Sequence, residues 1–525
     1  MINNIITEDL KEKMLKLGID IELSKTIMDN YNKGLYDKFV PIKAKDLPDI
    51  NGESIIDISK PFEKIYDYEE AQKRIDELDL SCNLKEIGEL RGSKIYFNQK
   101  ALAILGMIIY PLLSYGVLNG GSASSYVDRK KNKKFNEKLL DLFNEEFSSI
   151  ESDWKGKAKG ISPAFINEDG SYGPGFLELK MRSLLIESMR YQLTFNNKNK
   201  ALWPMFQMTS IYNNDEIEKE YNTYKKSIYL KELIQATDID ITSVKTGIQP
   251  MLSAFTHSSF GKPKTFFKDA YDKPDNPLPM PGGHGQMFIV LKEIFKELHK
   301  SGKRFIYLGN VDNLGYTVDP ICLALLALSN KQGAFEFTFR TSVDIKGGIL
   351  VVDQFERLNC ADIGVAISKE EMLNMEKAGK NILFNCAIGL FNLNYLISNS
   401  DQIISRLPVR FTDQDKEAGK YSQAEQITWE ILSIMNDYLV LCVDKYSRFL
   451  AAKHLLEGLM TSGIKLEHPE YPTHQKSELD VKHLAERLHN GLKKLLLSRY
   501  GMKKERGRWI PCSVNELKKE ILKTI

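Results

Sequence analysis

Short apolar runs alternate with longer segments of helical periodicity through the middle of the chain. Five runs have the length and composition of strands, at 115–118, 204–208, 305–308, 335–340 and 349–352. Between them, segments 176–193, 286–299 and 320–330 repeat apolar residues every three or four positions, as amphipathic helices do. Strands that alternate with helices form a mostly parallel sheet covered on both faces. The pattern therefore predicts an α/β domain over residues 106–400.

The two ends of the chain have a different pattern. Residues 1–105 show short amphipathic periods interrupted by prolines, which predicts a helical N-terminal region. Residues 401–525 are predicted to form a mainly helical C-terminal region. Its last helix carries an apolar stripe, which predicts packing against the body of the protein or a partner subunit. The leucines of this stripe are Leu484, Leu488, Leu492 and Leu495.

Composition narrows the class of protein. The 525 residues carry a net charge of only +2, so no global field attracts nucleic acid or a membrane surface. The six cysteines lie far apart, without the spacing of a metal site. The N-terminus lacks the features of a signal peptide, and no apolar run reaches the roughly 18 residues of a membrane span. We therefore expect a cytoplasmic protein with neither nucleic acid nor membrane as partner.

Glycines and polar residues follow two of the predicted strands. Gly120 and Gly121 follow the first, and paired glycines let the backbone approach a base or a phosphate closely. Asn310 and Asp312 follow the strand at 305–308, where a carboxylate is well placed to hold a metal or a sugar phosphate. An Asx-rich turn without a ligand is the alternative interpretation of this second segment.

Lysines and one histidine in flexible segments are the other candidates for chemistry. Lys159, Lys346 and Lys453 are compact charges that could reach a polyphosphate, although each could equally be a surface lysine. His284 lies in a Pro-Gly-rich loop before a helix, where it could donate to a phosphate or a sugar hydroxyl. The chain has no Walker phosphate loop and no G-x-G-x-x-G fingerprint, which argues against kinase-type and dinucleotide-binding sites.

Eight short strings, taken in order, resemble those of the UDP-sugar pyrophosphorylases. They are LNGG at 118–121, KG at 159–160, FLELK at 176–180, MTS at 208–210, PGGHG at 281–285, NVDNLG at 310–315, DIKGG at 344–348 and FN at 384–385. Within that family they are most like the UTP:glucose-1-phosphate uridylyltransferases. Eight matches in the right order are far more specific than any one of them. The resemblance implies a nucleotide-diphospho-sugar transferase-like, Rossmann-like fold, with 106–400 as the nucleotidyltransferase domain.

The resemblance also implies a role for each matched residue. The residues implied to surround the uridine are Leu118, Asn119, Gly120, Gly121, Met208, Gln249 and Gly283. The lysines implied to contact phosphates and to carry catalysis are Lys159, Lys346 and Lys453. The residues implied to face the sugar phosphate are His284, Asn310 and Asn385. Asp312 is implied to bind Mg²⁺.

The implied reaction is in-line attack of a glucose 1-phosphate oxygen on the α-phosphorus of UTP, which gives UDP-glucose and pyrophosphate. A phosphate nucleophile is already anionic near neutral pH, so positioning and charge stabilisation suffice. Two alternatives stay open. One is a pyrophosphorylase for another sugar 1-phosphate, of the N-acetylglucosamine or galactose type, and the other is a noncatalytic UDP-sugar-binding regulator. The sequence does not specify the oligomeric state.

The chain departs from the family just after the glycine pair. The family usually continues with Gly-Thr and a nearby Pro-Lys, whereas here an insertion over about 122–155 separates Gly121 from Lys159. We interpret this insertion as a helical lid whose basic end replaces part of the phosphate loop. The alternative is a solvated basic loop with a helix packed elsewhere. The basic residues concerned are Arg129, Lys130, Lys131, Lys133 and Lys134.

Overall fold

Strands occur from the N-terminal region to the C-terminal region of the protein. The computed structural model describes residues 6–123, 126–198, 202–341, 344, 347–475 and 480–524. The strands within these ranges are β1 (Ala44–Asp46), β2 (Ile55–Asp57), β3 (Glu63–Asp67), β4 (Glu89–Arg91), β5 (Lys94–Asn98), β6 (Leu113–Leu118), β7 (Met205–Ser210), β8 (Lys245–Gln249), β9 (Met251–Ser253), β10 (Phe255–Thr256), β11 (Pro279–Pro281), β12 (Phe305–Asn310), β13 (Gly333–Phe339), β14 (Gly348–Asp353), β15 (Leu358–Asp362), β16 (Leu383–Asn392), β17 (Arg410–Lys416), β18 (Gly419–Glu425), β19 (Leu439–Val443), β20 (Met502–Glu505) and β21 (Arg508–Pro511). Eleven of them form one central sheet, and the others form small sheets of two or three strands.

Helices surround this sheet and also form most of the insertion after the glycine pair. The α-helices of the described ranges are α1 (Glu8–Lys16), α2 (Ile21–Asn32), α3 (Tyr68–Asp76), α4 (Gln99–Ile109), α5 (Arg129–Phe135), α6 (Glu137–Leu142), α7 (Asn144–Trp154), α8 (Phe176–Phe195), α9 (Asn214–Tyr224), α10 (Lys231–Thr237), α11 (Met287–Val290), α12 (Lys292–Lys300), α13 (Pro320–Ser329), α14 (Lys369–Lys377), α15 (Leu393–Ser398), α16 (Ser400–Arg406), α17 (Lys445–Arg448), α18 (Leu455–Ser462), α19 (Val481–Ser498) and α20 (Val514–Leu522). In the part of the chain that the structure describes, no helix combines the length and the apolar character needed to cross a bilayer.

The central sheet is mixed and mostly parallel along its main path. Its order is β2-β19-β13-β16-β12-β6-β7-β8, with β14 beside β16 and with β1 and β15 paired to β14. Along the main path only β16 runs against its two neighbours, β12 and β13. The other five neighbouring pairs are parallel. The α/β prediction is confirmed, and each of the five predicted strands overlaps a strand of this sheet.

Both faces of the sheet are buried, which explains why its strands are continuous apolar runs. In β12, Phe305 and Tyr307 belong to the core that contains α4, α8 and α13. The alternate residues Ile306 and Leu308 belong to the core on the other face, with α11 and α12. Successive side chains of a strand point to opposite faces of the sheet. Because helices cover both faces, every position of the strand is buried and is favoured to be apolar.

The regions flanking the α/β domain contain strands as well as the expected helices. The N-terminal region has α1 to α4, but β1 and β2 join the central sheet and β3, β4 and β5 form a small sheet. From the C-terminal region, β19 lies between β2 and β13. The sheet therefore extends beyond 106–400 at both ends. Strands of three residues, such as β1 and β2, are too short to show a period in the sequence.

The leucine stripe of the last predicted helix lies on α19 and packs against the body of the protein. Leu492 and Leu495 are buried in the core beneath the central sheet. Leu484 and Leu488 are partly buried against α18 and the inserted helices. The leucine stripe therefore packs against the body of its own chain, which was the first of the two predicted alternatives.

Candidate active site

A cleft of about 540 Å³ lies at the carboxyl ends of the parallel strands β6, β7, β8 and β12. In the sheet register, Leu118 at the end of β6 is paired with Asn310 on one side and Met208 on the other. Residues that are far apart in sequence therefore meet at one edge, where open α/β sheets bind ligands. The residues proposed from the sequence that line this cleft are Leu118, Gly120, Gly121, Lys159, Met208, Gln249, Gly283, His284, Asn310 and Asp312.

The glycine pair forms a smooth wall of the cleft. A β-carbon at Gly120 would lie 3.4 Å from the Gln249 Oε1, whereas one at Gly121 would meet open space. Asn213 holds this turn in place, because its side-chain amide donates to the carbonyl oxygens of Asn119 at 3.0 Å and Gly121 at 3.3 Å. The backbone of the turn is therefore fixed and accessible, as close contact with a flat base or a phosphate requires.

Asn119, proposed as a uridine contact, lies behind the wall and not on it. Its side chain is fully buried and donates to the Gln207 Oε1 at 3.1 Å, while its N–H donates to the carbonyl oxygen of Met208 at 2.9 Å. A β-carbon at Gly160 would lie 2.1 Å from the Asn119 Oδ1. In this structure Asn119 therefore connects β6 to β7 and packs against the segment that carries Lys159.

The two ends of the insertion are joined at its base. The N–H of Lys159 donates to the carbonyl oxygen of Gly121 at 3.0 Å, and the N–H of Ala123 donates to that of Lys157 at 2.8 Å. These two hydrogen bonds place Lys159 directly beside Gly121 despite the length of chain between them. The insertion thus leaves the cleft after Gly121 and returns to it next to the same residue, so Lys159 stays beside the glycine turn.

The inserted helices α5, α6 and α7 pack away from the cleft. Their apolar residues, Leu139, Phe143 and Phe147 among them, form a core with α18 and α19. The four lysines of the basic run are exposed, and all of them, though described, lie outside the cleft lining. Lys133, for example, pairs with Glu137 at 2.8 Å. The geometry favours the alternative of a basic surface and packed helices over a lid whose basic end replaces the phosphate loop.

If the cleft binds UTP, as the resemblance implies, alanine at these four lysines is expected to leave the KM for UTP unchanged within about two-fold, since exposed charges remote from a ligand contribute little. Arg129 is retained because it donates to Asn144 at 3.0 Å and to Ser148 at 2.8 Å, and so holds α5 to α7. Steady-state kinetics at two salt concentrations provide the measurement. A KM raised by more than about five-fold at low salt would restore the lid interpretation. The positions are Lys130, Lys131, Lys133 and Lys134.

Lys159 and Asp312 form an ion pair in the cleft. The Lys159 Nζ contacts the Asp312 Oδ2 and also donates to the carbonyl oxygen of Ala452 at 2.9 Å. Their side chains are 14% and 18% exposed, so both are largely shielded yet open to a ligand. Among the described residues that line the cleft, Asp312 is the only acidic one. A cation and a carboxylate thus stand together where a phosphate and its metal ion would need them.

The turn after Asp312 is shaped by Asn313. The Asn313 Oδ1 accepts from the N–H of Gly315 and of Leu450, both at 3.0 Å, and its amide donates to the carbonyl oxygen of Arg448 at 3.1 Å. A β-carbon at Gly315 would lie 2.1 Å from the carbonyl carbon of Arg448. The Asx-rich turn is therefore real, and it coexists with a carboxylate that faces the cleft.

His284 is held as a neutral hydrogen-bond donor. The N–H of Thr428 donates to the His284 Nδ1 at 3.1 Å, which leaves the proton on Nε2. Burial lowers the pKa of His284 to about 4. Gly283 has a φ of +83° and fits against the carbonyl oxygen of Gln426, which a β-carbon would approach to 2.3 Å. Gln249 fixes this loop by donating to the carbonyl oxygen of Gly283 at 2.8 Å.

The pKa of His284 predicts an acid-dependent loss of stability. The unfolded chain binds a proton at His284 below its ordinary pKa of 6.5, whereas the folded chain resists protonation until about pH 4. Neutral His284 therefore makes its full contribution to the free energy of unfolding above pH 6.5. This contribution is lost as the pH falls toward 4, and about 2 kcal/mol of it is lost by pH 5. Urea unfolding near pH 7.5 and near pH 5 should show this loss in wild type. His284→Gln, which cannot titrate, should lack it, and an equal loss in both proteins would contradict the assignment.

Lys453 and Asn385, like Asn119, are not part of the cleft lining. Lys453 is exposed, its N–H donates to the Glu457 Oε2 at 2.7 Å, and it lines a neighbouring cavity of about 80 Å³. Asn385 on β16 is buried and donates to the Cys360 Sγ at 3.5 Å. Lys346 lies outside the described residues. Their proposed contacts with phosphates and sugar therefore stay predictions.

Other cleft residues were not proposed from the sequence. Tyr212, Asn213 and Met251 also line the cleft. Tyr212 and Asn213 lie two and three residues after the matched string at 208–210, so their place after a strand end was the available signal. The neighbouring cavity contains a buried ion pair, in which the Lys445 Nζ lies 2.5 Å from the Asp344 Oδ1. No spacing in the sequence indicates that pair.

The comparison with known families covers the part of the chain that carries most of these residues. The model of one family, described as UTP--glucose-1-phosphate uridylyltransferase, matches residues 173–463. This match spans more than half of the chain. The chain belongs to that family.

Individual members of the UTP--glucose-1-phosphate uridylyltransferase family are distant from this chain. The enzyme of that name from Pyrus pyrifolia is 24% identical over 294 residues, which are 53% of this chain and 58% of the relative's length. The UTP--glucose-1-phosphate uridylyltransferase from Encephalitozoon cuniculi is 30% identical over 139 residues, which are 26% of each chain. A crystal structure of UDP-glucose phosphorylase from Trypanosoma brucei is similar with a TM-score of 0.48 and 20% identity, covering 67% of this chain and 65% of that one. The chain thus spans less than two thirds of these relatives' lengths.

The family match begins after the glycine turn and the insertion. Gly120, Gly121 and Lys159 all precede residue 173, where the match starts. The structure places these three in one cleft with Asp312 and His284, which lie inside the matched range. In this member of the UTP--glucose-1-phosphate uridylyltransferase family, the cleft is therefore completed by residues that the match does not reach.

Proposed function

We propose that this protein is a Mg²⁺-dependent uridylyltransferase that forms UDP-glucose and pyrophosphate from UTP and glucose 1-phosphate. The observation that carries the proposal is the single cleft in which Lys159 and Asp312 meet the glycine turn and His284. Family membership supports the same activity. The substrates are UTP and a sugar 1-phosphate, with no role for nucleic acid.

The residues of the cleft suit phosphoryl-group chemistry that needs no general base. The nucleophile is a phosphate oxygen that already carries charge, so the protein has to position it and stabilise the charge that develops. The Lys159 ammonium is already in the cleft, where it contacts Asp312. It therefore needs to move only a short distance to pair with a phosphate oxygen instead. His284, neutral above about pH 4, offers an Nε2–H to a sugar or phosphate oxygen without adding a charge.

The cleft has a single carboxylate, which suits Mg²⁺ better than a metal that needs several protein ligands. Among the described residues there is no group of three or more histidine, cysteine or acidic side chains that could hold a metal. Mg²⁺ commonly binds through one or two carboxylates together with substrate phosphates and water. Asp312 would hold the ion in this way. When bound, Mg²⁺ would neutralise charge on the triphosphate and on the leaving pyrophosphate.

Pyrophosphate release with UTP, Mg²⁺ and a panel of sugar 1-phosphates tests the function. Glucose 1-phosphate should give the highest kcat/KM, above galactose 1-phosphate and N-acetylglucosamine 1-phosphate. Preference for another member of the panel would keep the transferase and change its sugar. Release with none of them, together with retained UDP-glucose binding in calorimetry, would refute the enzyme and favour a noncatalytic UDP-sugar-binding regulator.

We also propose a cytoplasmic location. All six cysteines are free thiols, and four of them are buried. Free thiols persist in a reducing compartment, whereas oxidising compartments favour disulfides. Fractionation of the native cells with an antibody against this chain would test the location.

A further inference from the structure

A buried lysine lies directly beneath the turn that follows Asp312. Lys180 is on α8, a helix that is buried at every position from 176 to 189, and its side chain has no exposed surface. The Lys180 Nζ donates to the carbonyl oxygens of Asn313 and, at 2.7 Å, of Tyr316. Both acceptors belong to the turn that continues from Asp312. The ammonium also lies 5.2 Å from the centre of the Tyr316 ring.

Hydrogen bonding to this turn is the contribution of Lys180 that the contacts show. It is not among the residues that line the cleft, and no carboxylate among the described residues forms an ion pair with it. Burial lowers the pKa of Lys180 well below its ordinary value, while the negative charge of Asp312 acts in the opposite direction. A buried amine with no carboxylate in direct contact is costly unless its N–H groups are satisfied. Two main-chain carbonyls provide that satisfaction, so turn and lysine depend on each other.

The turn is fixed from two sides. The Asn313 side chain hydrogen-bonds the turn to residues 448–450. The Lys180 ammonium, on α8, hydrogen-bonds both ends of the turn. Asp312 precedes the turn immediately, so the direction of its carboxylate depends on where the turn lies. Displacement of a catalytic group by about 1 Å can lower a rate about 100-fold.

We propose that Lys180 is a positioning residue that holds the 313–316 turn and thereby sets the place of the Asp312 carboxylate in the cleft. The inference rests on the proposed function, in which Asp312 holds Mg²⁺. It goes further by assigning the metal-binding geometry to a residue that touches neither the metal nor the substrate. Replacing Lys180 should therefore weaken metal binding and lower kcat, with a smaller effect on the KM for glucose 1-phosphate.

Lys180→Met tests this, and the chain provides a matched control in Lys303→Met. Lys303 is also buried, has a pKa lowered to about 8, and donates to the carbonyl oxygen of Pro111 at 2.7 Å. It lies just before β12, at the end of the strand opposite the cleft. Both variants should lower the urea midpoint. Only Lys180→Met should raise the Mg²⁺ concentration for half-maximal velocity, by about five-fold or more, and lower kcat by about 10-fold to 100-fold.

Two further measurements separate positioning from general damage. Mn²⁺ binding in the presence of UTP, followed by electron paramagnetic resonance, reports metal affinity without turnover and should weaken in Lys180→Met alone. Adding Lys180→Met to Asp312→Asn should cause little further loss of kcat, because a residue that acts through Asp312 has no effect once the carboxylate is gone. Equal behaviour of Lys180→Met and Lys303→Met in the Mg²⁺ dependence of velocity and in Mn²⁺ binding would overturn the proposal.

The outcomes distinguish this inference from the function on which it rests. An active wild type with unchanged metal affinity in Lys180→Met would leave the transferase standing and remove the positioning role. A wild type that is silent with every sugar 1-phosphate would refute the function, and the Mn²⁺ assay would still decide the role of Lys180. If Lys180→Met does not fold, Lys180→Gln keeps one neutral donor near the turn and should show the same effects at smaller size.

Discussion

Asp312→Asn is expected to lower the kcat for UDP-glucose formation by about 1,000-fold. Asparagine keeps the size of the side chain but removes the charge that would hold Mg²⁺ against the triphosphate. Preorganised charges of this kind contribute about 3 to 4 kcal/mol to the transition state, which corresponds to that factor. The substitution also removes the partner of Lys159. We expect the loss to fall mainly on kcat, because the residues proposed to contact the uridine are other residues of the cleft.

Steady-state pyrophosphate release at saturating substrates is the measurement for this variant, with Asp401→Asn as its control. Asp401 is an exposed carboxylate on α16 that pairs with Lys292 at 2.7 Å, so its replacement makes the same chemical change at the surface. The control should retain wild-type kcat. An Asp312→Asn protein with more than a tenth of wild-type kcat would show that the carboxylate does not hold the metal.

Lys159→Met is expected to lower kcat/KM for UTP by about 100-fold. Methionine approximates the length of the side chain and removes the ammonium, and a hydrogen bond to a charged group contributes about 1.5 to 3 kcal/mol. The loss should appear in both kcat and KM, since a phosphate contact can form in the ground state and in the transition state. The effects of Lys159→Met and Asp312→Asn should not add, because the two groups are in direct contact.

Lys157→Met provides the control for this substitution. Lys157 lies two residues earlier in the same segment, is exposed, and has its ammonium 4.6 Å from the centre of the Trp154 ring. Its replacement should change kcat/KM by less than about two-fold. If both lysine variants behave alike, the segment contributes through its general charge and Lys159 has no contact of its own with the triphosphate.

The sequence predicted the edge of the sheet where the site lies. Leu118 and Met208 each end a predicted strand and Asn310 follows a third one, and parallel strands bring such ends together. His284 was assigned to the same site by the family resemblance alone, whereas the glycine pair and Asp312 could be placed relative to those strand ends. These features were predictable because each depends on local pattern and on one rule of topology.

Contacts between distant segments could not be predicted in this way. The bond between Lys159 and Gly121 depends on how a long insertion folds, and the bonds from Lys180 depend on how α8 packs under the sheet. The resemblance implied ligand contacts for Lys453 and for Asn385 of the FN string, yet in this chain both residues lie beside the cleft and not in its lining. A residue type at a matched position fixes the available chemistry, while its distance from the cleft depends on tertiary packing.

The joined base of the insertion has a consequence for how this loop can vary. Two hydrogen bonds, and not the residues between them, set the distance from the glycine turn to Lys159. Segments of quite different length could be exchanged at this point without altering the cleft, provided that their ends still pair and their apolar faces are covered. A reporter or a binding domain could therefore be inserted at this point, beside the cleft, without moving Lys159 away from the glycine turn.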